Sequence, residues 1–262
     1  MLLSLVIGLA AFGLFAWREL NMQQPLLDLK VFKHGSFGLI AVINVAVAII
    51  MYSDTMLLPI YLQQARGFSA LESGFLLFPG ALIMGLLMPA TGKLFNRYGV
   101  KWLTIIGLLI VIATAFGYAT LSTTTTYLFI MLITTVFRIG LAFMLMPIQT
   151  AGLNQLPTNL HPHGTAIIST IRQVAGALGI ALLVTVMSNS SAAQYVSLLA
   201  LELEGGYSEA MMLTTSTIAG VNAAYALIIG IGMIGLLLTL VIKQGVRSAH
   251  KNKGMDVKET TI

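Results

Sequence analysis

Seven apolar runs, each long enough to cross a bilayer, limit what this chain can fold into. A spanning helix needs about 20 apolar residues, within roughly 17 to 25. The runs are Met1–Trp17, Ser36–Tyr61, Gly74–Gly92, Trp102–Leu121, Tyr127–Gln149, Gly164–Met187 and Ala219–Ile242. In lipid every backbone N–H and C=O must be satisfied within the protein, and runs of this length do so as helices. The chain is 57% hydrophobic and 9% charged over 262 residues. A water-soluble domain carries about 25% charged residues. Too few charges remain to cover a water-facing surface, so the expected fold class is an all-α polytopic membrane protein.

Charge placement orients it. The stretch Gly92-Lys93-Leu94-Phe95-Asn96-Arg97-Tyr98-Gly99-Val100-Lys101 joins two runs and holds three positive charges. Short basic turns between membrane helices lie on the cytoplasmic side. With this turn inside, alternation also puts Arg18, Lys30, Lys33, Lys243, Arg247, Lys251, Lys253 and Lys258 inside. Arg66 alone falls outside, together with the acidic Glu72, Glu202, Glu204 and Glu209. The expected topology has the N-terminus outside and the C-terminus in the cytoplasm. Arg18 follows the first apolar run rather than preceding it, which favours a true span over a signal peptide. A chain that opens directly in an outside-facing helix points to something missing upstream. Residues 188–218 form the sizeable outside loop, with room for a short surface helix. The tail from Lys243 is polar and basic, suited to an anionic inner leaflet.

Other function classes find little support. The net charge of +5 is explained by topology rather than by nucleic acid. There is no cysteine, which excludes disulfides and thiolate-bound metals. Neither a phosphate-binding G-x-x-x-x-G-K-[ST] loop nor H-E-x-x-H is present, so no enzyme activity is expected. His161 and His163 flank Pro162 without further ligands nearby in sequence, so no metal is expected. Seven spans could suggest a receptor or a light-driven pump. A retinal pump needs a lysine in its last helix, and Ala219–Ile242 has none.

Three ionisable residues lie within the spans: Asp54, Arg138 and Arg172. A charge at the bilayer centre costs roughly 2.5 to 3.5 kcal/mol on insertion scales, so each needs a reason. Arg138 falls near the midplane, either clamping helices together or tuning a carboxylate or a substrate. Asp54 is the sole acid in any span. Withdrawn from water, a carboxylate can exchange protons near neutral pH; near the outer headgroups it could instead stay hydrated. Arg172 and Gln173, with Thr165, Ser169 and Gly176, form a polar and small stripe at helical spacing. That stripe suits either helix packing or a cavity wall. Gln149 is a further polar contact at the end of its span. Pro59, Pro79, Pro89 and Pro147 interrupt spans and suit bending helices.

The turn Gly92…Arg97-Tyr98-Gly99…Lys101 resembles the inside-loop motif of the major facilitator superfamily. Leu57-Leu58-Pro59-Ile60-Tyr61-Leu62-Gln63, Ser69-Ala70-Leu71-Glu72-Ser73-Gly74 and Phe78-Pro79-Gly80 resemble its fourteen-helix drug:proton antiporter branch. So do Phe137-Arg138-Ile139-Gly140, Met146-Pro147, Leu156-Pro157, His163-Gly164-Thr165-Ala166 and the run Arg172 to Gly179. The resemblance implies two six-helix halves around a central cavity, with two extra helices between them. Residues 1–35 then correspond to the second extra helix and a cytoplasmic linker. Residues 36–242 form the six-helix C-terminal half, 243–262 a cytoplasmic tail, and the N-terminal half is absent.

The implied activity is proton-coupled efflux of amphipathic or cationic small molecules across the plasma membrane. Its energy source would be the proton gradient, with no bound cofactor. Asp54 would bind a proton or cation; Arg138, Gln149, Arg172 and Gln173 would line the pathway; Gly92, Asn96, Arg97, Gly99 and Lys101 would serve the inside gate. Asn96 stands where the family commonly has Asp, keeping the hydrogen bonding and losing the charge. The run R-I-G-L-A from Arg138 is less glycine-rich than usual, with looser packing expected there. The other reading is a half-transporter, inactive until a separately encoded N-terminal half, or a second copy, completes it.

Overall fold

The computed structural model describes residues 36–202 and 208–242 continuously, together with scattered positions between 7 and 34. The expected span Met1–Trp17 and the tail 243–262 therefore lie largely or wholly outside the described residues. Five long helices follow one another: α1, Phe37–Ile60; α2, Ala70–Tyr118; α3, Tyr127–Leu153; α4, His161–Glu202; and α5, Glu209–Val241. Each is long and apolar enough to cross a membrane, and no strand occurs among the described residues.

Helix α1 runs through Pro59 and then widens into a π-helical turn, Tyr61–Ala65. Proline cannot donate to the carbonyl four residues back, so the ladder is weakened just before it changes pitch. Gly67, at φ +68°, turns the chain into α2. There Ser69 and Glu72 form a reciprocal cap: Glu72 N–H donates to Ser69 Oγ at 3.2 Å, and Ser69 N–H donates to Glu72 Oε2 at 2.8 Å.

Helix α2 carries two of the expected spans. The stretch Gly92–Lys101 is helical rather than an open turn. Its one break is Gly99, at φ 79° and ψ 171°. A residue with a Cβ rarely adopts that backbone, so glycine is what permits the helix to stop and restart within one residue. Phe95 and Val100 are buried on either side of the break, while Lys93, Asn96 and Arg97 face outward. Apolar anchoring thus keeps the basic segment helical. With α2 divided at Gly99, the six expected spans from Ser36 onward each have a helix.

Residues 188–218 also differ from the expected loop. Helix α4 continues through Glu202, and α5 begins at Glu209 with Ser208 Oγ accepting from Met211 N–H. The polar Ser188–Ser191 run stays helical because it packs on α5: Gly220 leaves no room for a Cβ against the Ser191 side chain and the Met187 carbonyl. Leu198 and Met212 are buried within the same hairpin.

Helix α1 packs against α3, α4 and α5, and α2 lies along α3. The α2–α3 crossing is close. A Cβ on Gly107 would stand 2.7 Å from the Gly140 carbonyl, and one on Gly140 would stand 2.9 Å from that of Gly107. Small residues let membrane helices approach this way, where dispersion replaces hydrophobic driving force. The R-I-G-L-A run packs closely at its one glycine, and Phe143 and Met144 also stand against Gly107. The largest fully buried side chains include Tyr61, Tyr118, Tyr225, Phe37 and Phe137.

Candidate functional site

The helix packing brings Asp54 of α1 to Arg138 of α3. Arg138 Nε donates to Asp54 Oδ2 at 3.1 Å, and Nη2 approaches the same oxygen at 3.0 Å. A third guanidinium nitrogen, Nη1, donates to the Leu77 carbonyl of α2 at 3.4 Å. Asp54 is 3% exposed, and its other oxygen, Oδ1, is buried with no partner among the described residues. The guanidinium reaches the acid by passing Gly80, where a Cβ would come within 3.0 Å of Arg138 Cδ. The sequence marks both ions, and marks Gly80 only as part of the Phe78-Pro79-Gly80 motif, not as the notch beside Arg138.

An aromatic cluster forms around Phe137, the residue before Arg138. Tyr118 and Tyr225 stack with ring centroids 4.5 Å apart, and Phe137 meets Tyr118 edge-on at 5.7 Å. Tyr118 Oη donates to Thr134 Oγ1 at 2.8 Å, and Thr134 in turn donates to the Ile130 carbonyl. Tyr225 Oη is buried without a partner among the described residues. Neither tyrosine is visible as a site residue in sequence, since each sits in an apolar run and only the fold brings them together.

Arg172 has a different setting. It lies where α4 faces α1 and α3, and its Nη2 donates to Gln149 Oε1 at 3.3 Å. Its Nε is buried without a partner among the described residues. One turn further, Gly176 makes room for the Tyr52 ring of α1. Gln173 is exposed on the flank of α4. The structure therefore joins Gln149 to Arg172, with no hydrogen bond from either to Asp54 or Arg138 among the described residues.

The basic segment is tied down at its far end. Lys101 Nζ donates to the Leu240 carbonyl at 2.6 Å, in the last turn of α5. A cation there meets unsatisfied carbonyls and the negative end of the helix dipole. The Arg97 guanidinium lies over the Tyr98 ring at 5.4 Å. Asn96 is exposed, and Gly92 lies close to Met146 of α3. At the opposite end, Arg66 Nη1 donates to the Thr125 and Ser122 carbonyls at 2.7 and 3.3 Å, and Tyr61 Oη donates to Ser122 at 2.7 Å. Sequence reading placed Arg66 outside without finding this staple of the α2–α3 connection. No group of three metal-ligating side chains occurs among the described residues.

Long apolar helices with a buried ion pair between them define a polytopic helical membrane protein. The family model of the Major Facilitator Superfamily matches residues 3–180, and the chain belongs to that superfamily. It is 42% identical over 192 residues to the uncharacterized MFS-type transporter YhcA of Bacillus subtilis, covering 73% of this chain and 36% of that protein. It is 39% identical over 244 residues to the lincomycin resistance protein LmrB of Listeria monocytogenes, covering 93% of this chain and 50% of that protein. The riboflavin transporter RibZ of Clostridioides difficile is 26% identical over 236 residues, covering 90% of this chain and 49% of that protein. The chain thus spans about half the length, or less, of these relatives.

Proposed function

We propose that this chain is the C-terminal half of a proton-coupled exporter of amphipathic or cationic small molecules, working by alternating access in the plasma membrane. Residues 1–35 supply a preceding helix and linker, 36–242 the six-helix half, and 243–262 a cytoplasmic tail. The N-terminus lies outside and the C-terminus inside. The observation that carries this reading is the buried Asp54–Arg138 pair, with one carboxylate oxygen buried and unpartnered among the described residues. Ionisable groups held within a membrane domain mark ion and substrate pathways. Protonation of Asp54 would cancel its charge, release Arg138 and allow α1 and α3 to move apart. Likeness to a lincomycin resistance protein supports the drug class.

In this reading Gly99 and Lys101 form part of the inside gate, coupling the α2 break to the end of α5. Gly92, Asn96 and Arg97 complete that gate. The test is efflux of a fluorescent dye from proteoliposomes under an imposed pH gradient. Asp54→Asn is expected to abolish the dependence on the gradient in the transporting unit; unchanged dependence removes Asp54 from the coupling.

A second reading is a half-transporter that is inactive without an N-terminal half. Gradient-driven efflux by the 262-residue chain alone would refute it.

A further inference from the structure

We propose that Arg172, with Gln149 and Tyr52, forms a binding site for the carboxylate of a small amphipathic molecule. This deepens the export reading and rests on it in one respect: this wall of the half faces the substrate path.

The two intramembrane arginines differ in what neutralises them. Arg138 has Asp54 at 3.0 Å. Arg172 has a neutral partner, Gln149 Oε1, at a long 3.3 Å. Its Nε is buried and unpartnered among the described residues. The Tyr52 ring stands one turn away, packed against Gly176. Asp54 is the one acidic side chain described within the interior of the helices, and Arg138 already holds it. Asp54 is therefore not free to serve a cationic ligand, and the uncompensated charge on this wall is positive.

The donor set suits a carboxylate. A guanidinium presents its N–H groups as a rigid fork that matches two carboxylate oxygens, and such charge-assisted pairs are short and strong. Arg172 Nε is one tine of that fork. Gln149 and Gln173 add amide donors on adjacent helices. Gln173 is exposed, and a polar side chain exposed beside an intramembrane charge is expected on a cavity wall rather than against lipid. Beside these groups, Met146 and Val174 are exposed, which supplies apolar surface for the rest of an amphipathic ligand. The Gly176 notch seats the Tyr52 ring one turn from Arg172.

The experiment uses the 262-residue chain in phosphatidylcholine nanodiscs, with dansyl-glycine and its methyl ester as fluorescent probes and empty nanodiscs as background. The acid is expected to bind at least tenfold more tightly than the ester, and benzoate is expected to displace it where benzyl alcohol does not. R172Q is expected to erase the preference. R172K, which keeps the charge and loses the fork, is expected to retain part of it. Equal affinity for acid and ester, or a preference that survives in R172Q, overturns the proposal. The benzoate comparison needs no variant, so it decides even if R172Q fails to fold. Displacement of the probe by added phosphatidylglycerol, or its exclusion when an N-terminal half is co-expressed, would show that lipid or protein fills the site and would equally overturn it. Acid-selective binding without gradient-driven efflux by the complete transporting unit in proteoliposomes would count against the export reading and leave the site standing. Efflux without acid selectivity would do the reverse.

Discussion

Arg138 and Arg172 are the same residue type at membrane depth, on neighbouring helices, yet the fold treats them oppositely. Arg138 is held by a carboxylate, by a backbone carbonyl, and by the notch at Gly80. Arg172 is left with a glutamine and an unpartnered nitrogen. The difference teaches that an intramembrane charge can serve structure when its counter-ion belongs to the protein. It is open to a ligand when the counter-ion does not. The first arrangement ties α1, α2 and α3 together. The second leaves α4 with unspent electrostatic capacity toward the exposed flank.

The largest test of this contrast is to remove one partner of the closed pair. Stripping a buried ion of its counter-ion costs about 3–5 kcal/mol, whereas replacing both partners by apolar residues can be nearly neutral. Asp54→Ala or Arg138→Met alone is therefore expected to lower the melting temperature sharply, while the double variant recovers most of the loss. Additive losses in a double-mutant cycle would show that the pair contributes nothing as a pair. Gly80→Val comes next. The added side chain meets Arg138 Cδ and the α3 backbone, and such overpacking costs about 1–3 kcal/mol. The loss should shrink in an Arg138→Ala background; an equal loss there would mean that the backbone contact alone is responsible.

A smaller effect is expected at the open arginine. Arg172→Gln breaks one long hydrogen bond to a neutral group, a loss on the order of 1 kcal/mol, and it also removes an uncompensated charge. Stability measured by denaturant or heat should change little or rise. A loss as large as that of Arg138→Met would reveal a counter-ion and would end the contrast. The smallest effect belongs to Lys101→Met, where a cation leaves a helix C-terminus, worth about 0.3–1 kcal/mol. Cysteine crosslinking between positions 101 and 240 should become less efficient in the loop variant Gly99→Ala, which strains the break that aims Lys101. Unchanged crosslinking would show that the segment finds α5 without the glycine.

Much of this was legible before any fold. Asp54, Arg138 and Arg172 stand out because charge is rare in apolar runs. The Gly99 break was legible as a basic, glycine-bracketed connection, although its reduction to one residue was not. That outcome depended on Phe95 and Val100 finding buried positions on both sides of the break. The helical course of residues 188–202 was hidden for a similar reason. A Ser-Asn-Ser-Ser run has weak helix propensity by itself, and packing against Gly220 outweighs it. Tyr118 and Tyr225 gave no signal, since a tyrosine in an apolar run looks like any other bulky core residue.

The sequence by itself determined that the chain crosses a membrane as helices, roughly where each helix lies, and which charges would have to be accounted for. Those are consequences of local composition, because lipid leaves a backbone few other options. Only the tertiary structure decided which of those charges were matched. Asp54 and Arg138 are 84 positions apart, and their meeting depends on three helices and a missing Cβ at Gly80. Pairing is a property of distance and direction in space. That is why one arginine was closed by the fold and the other was left open.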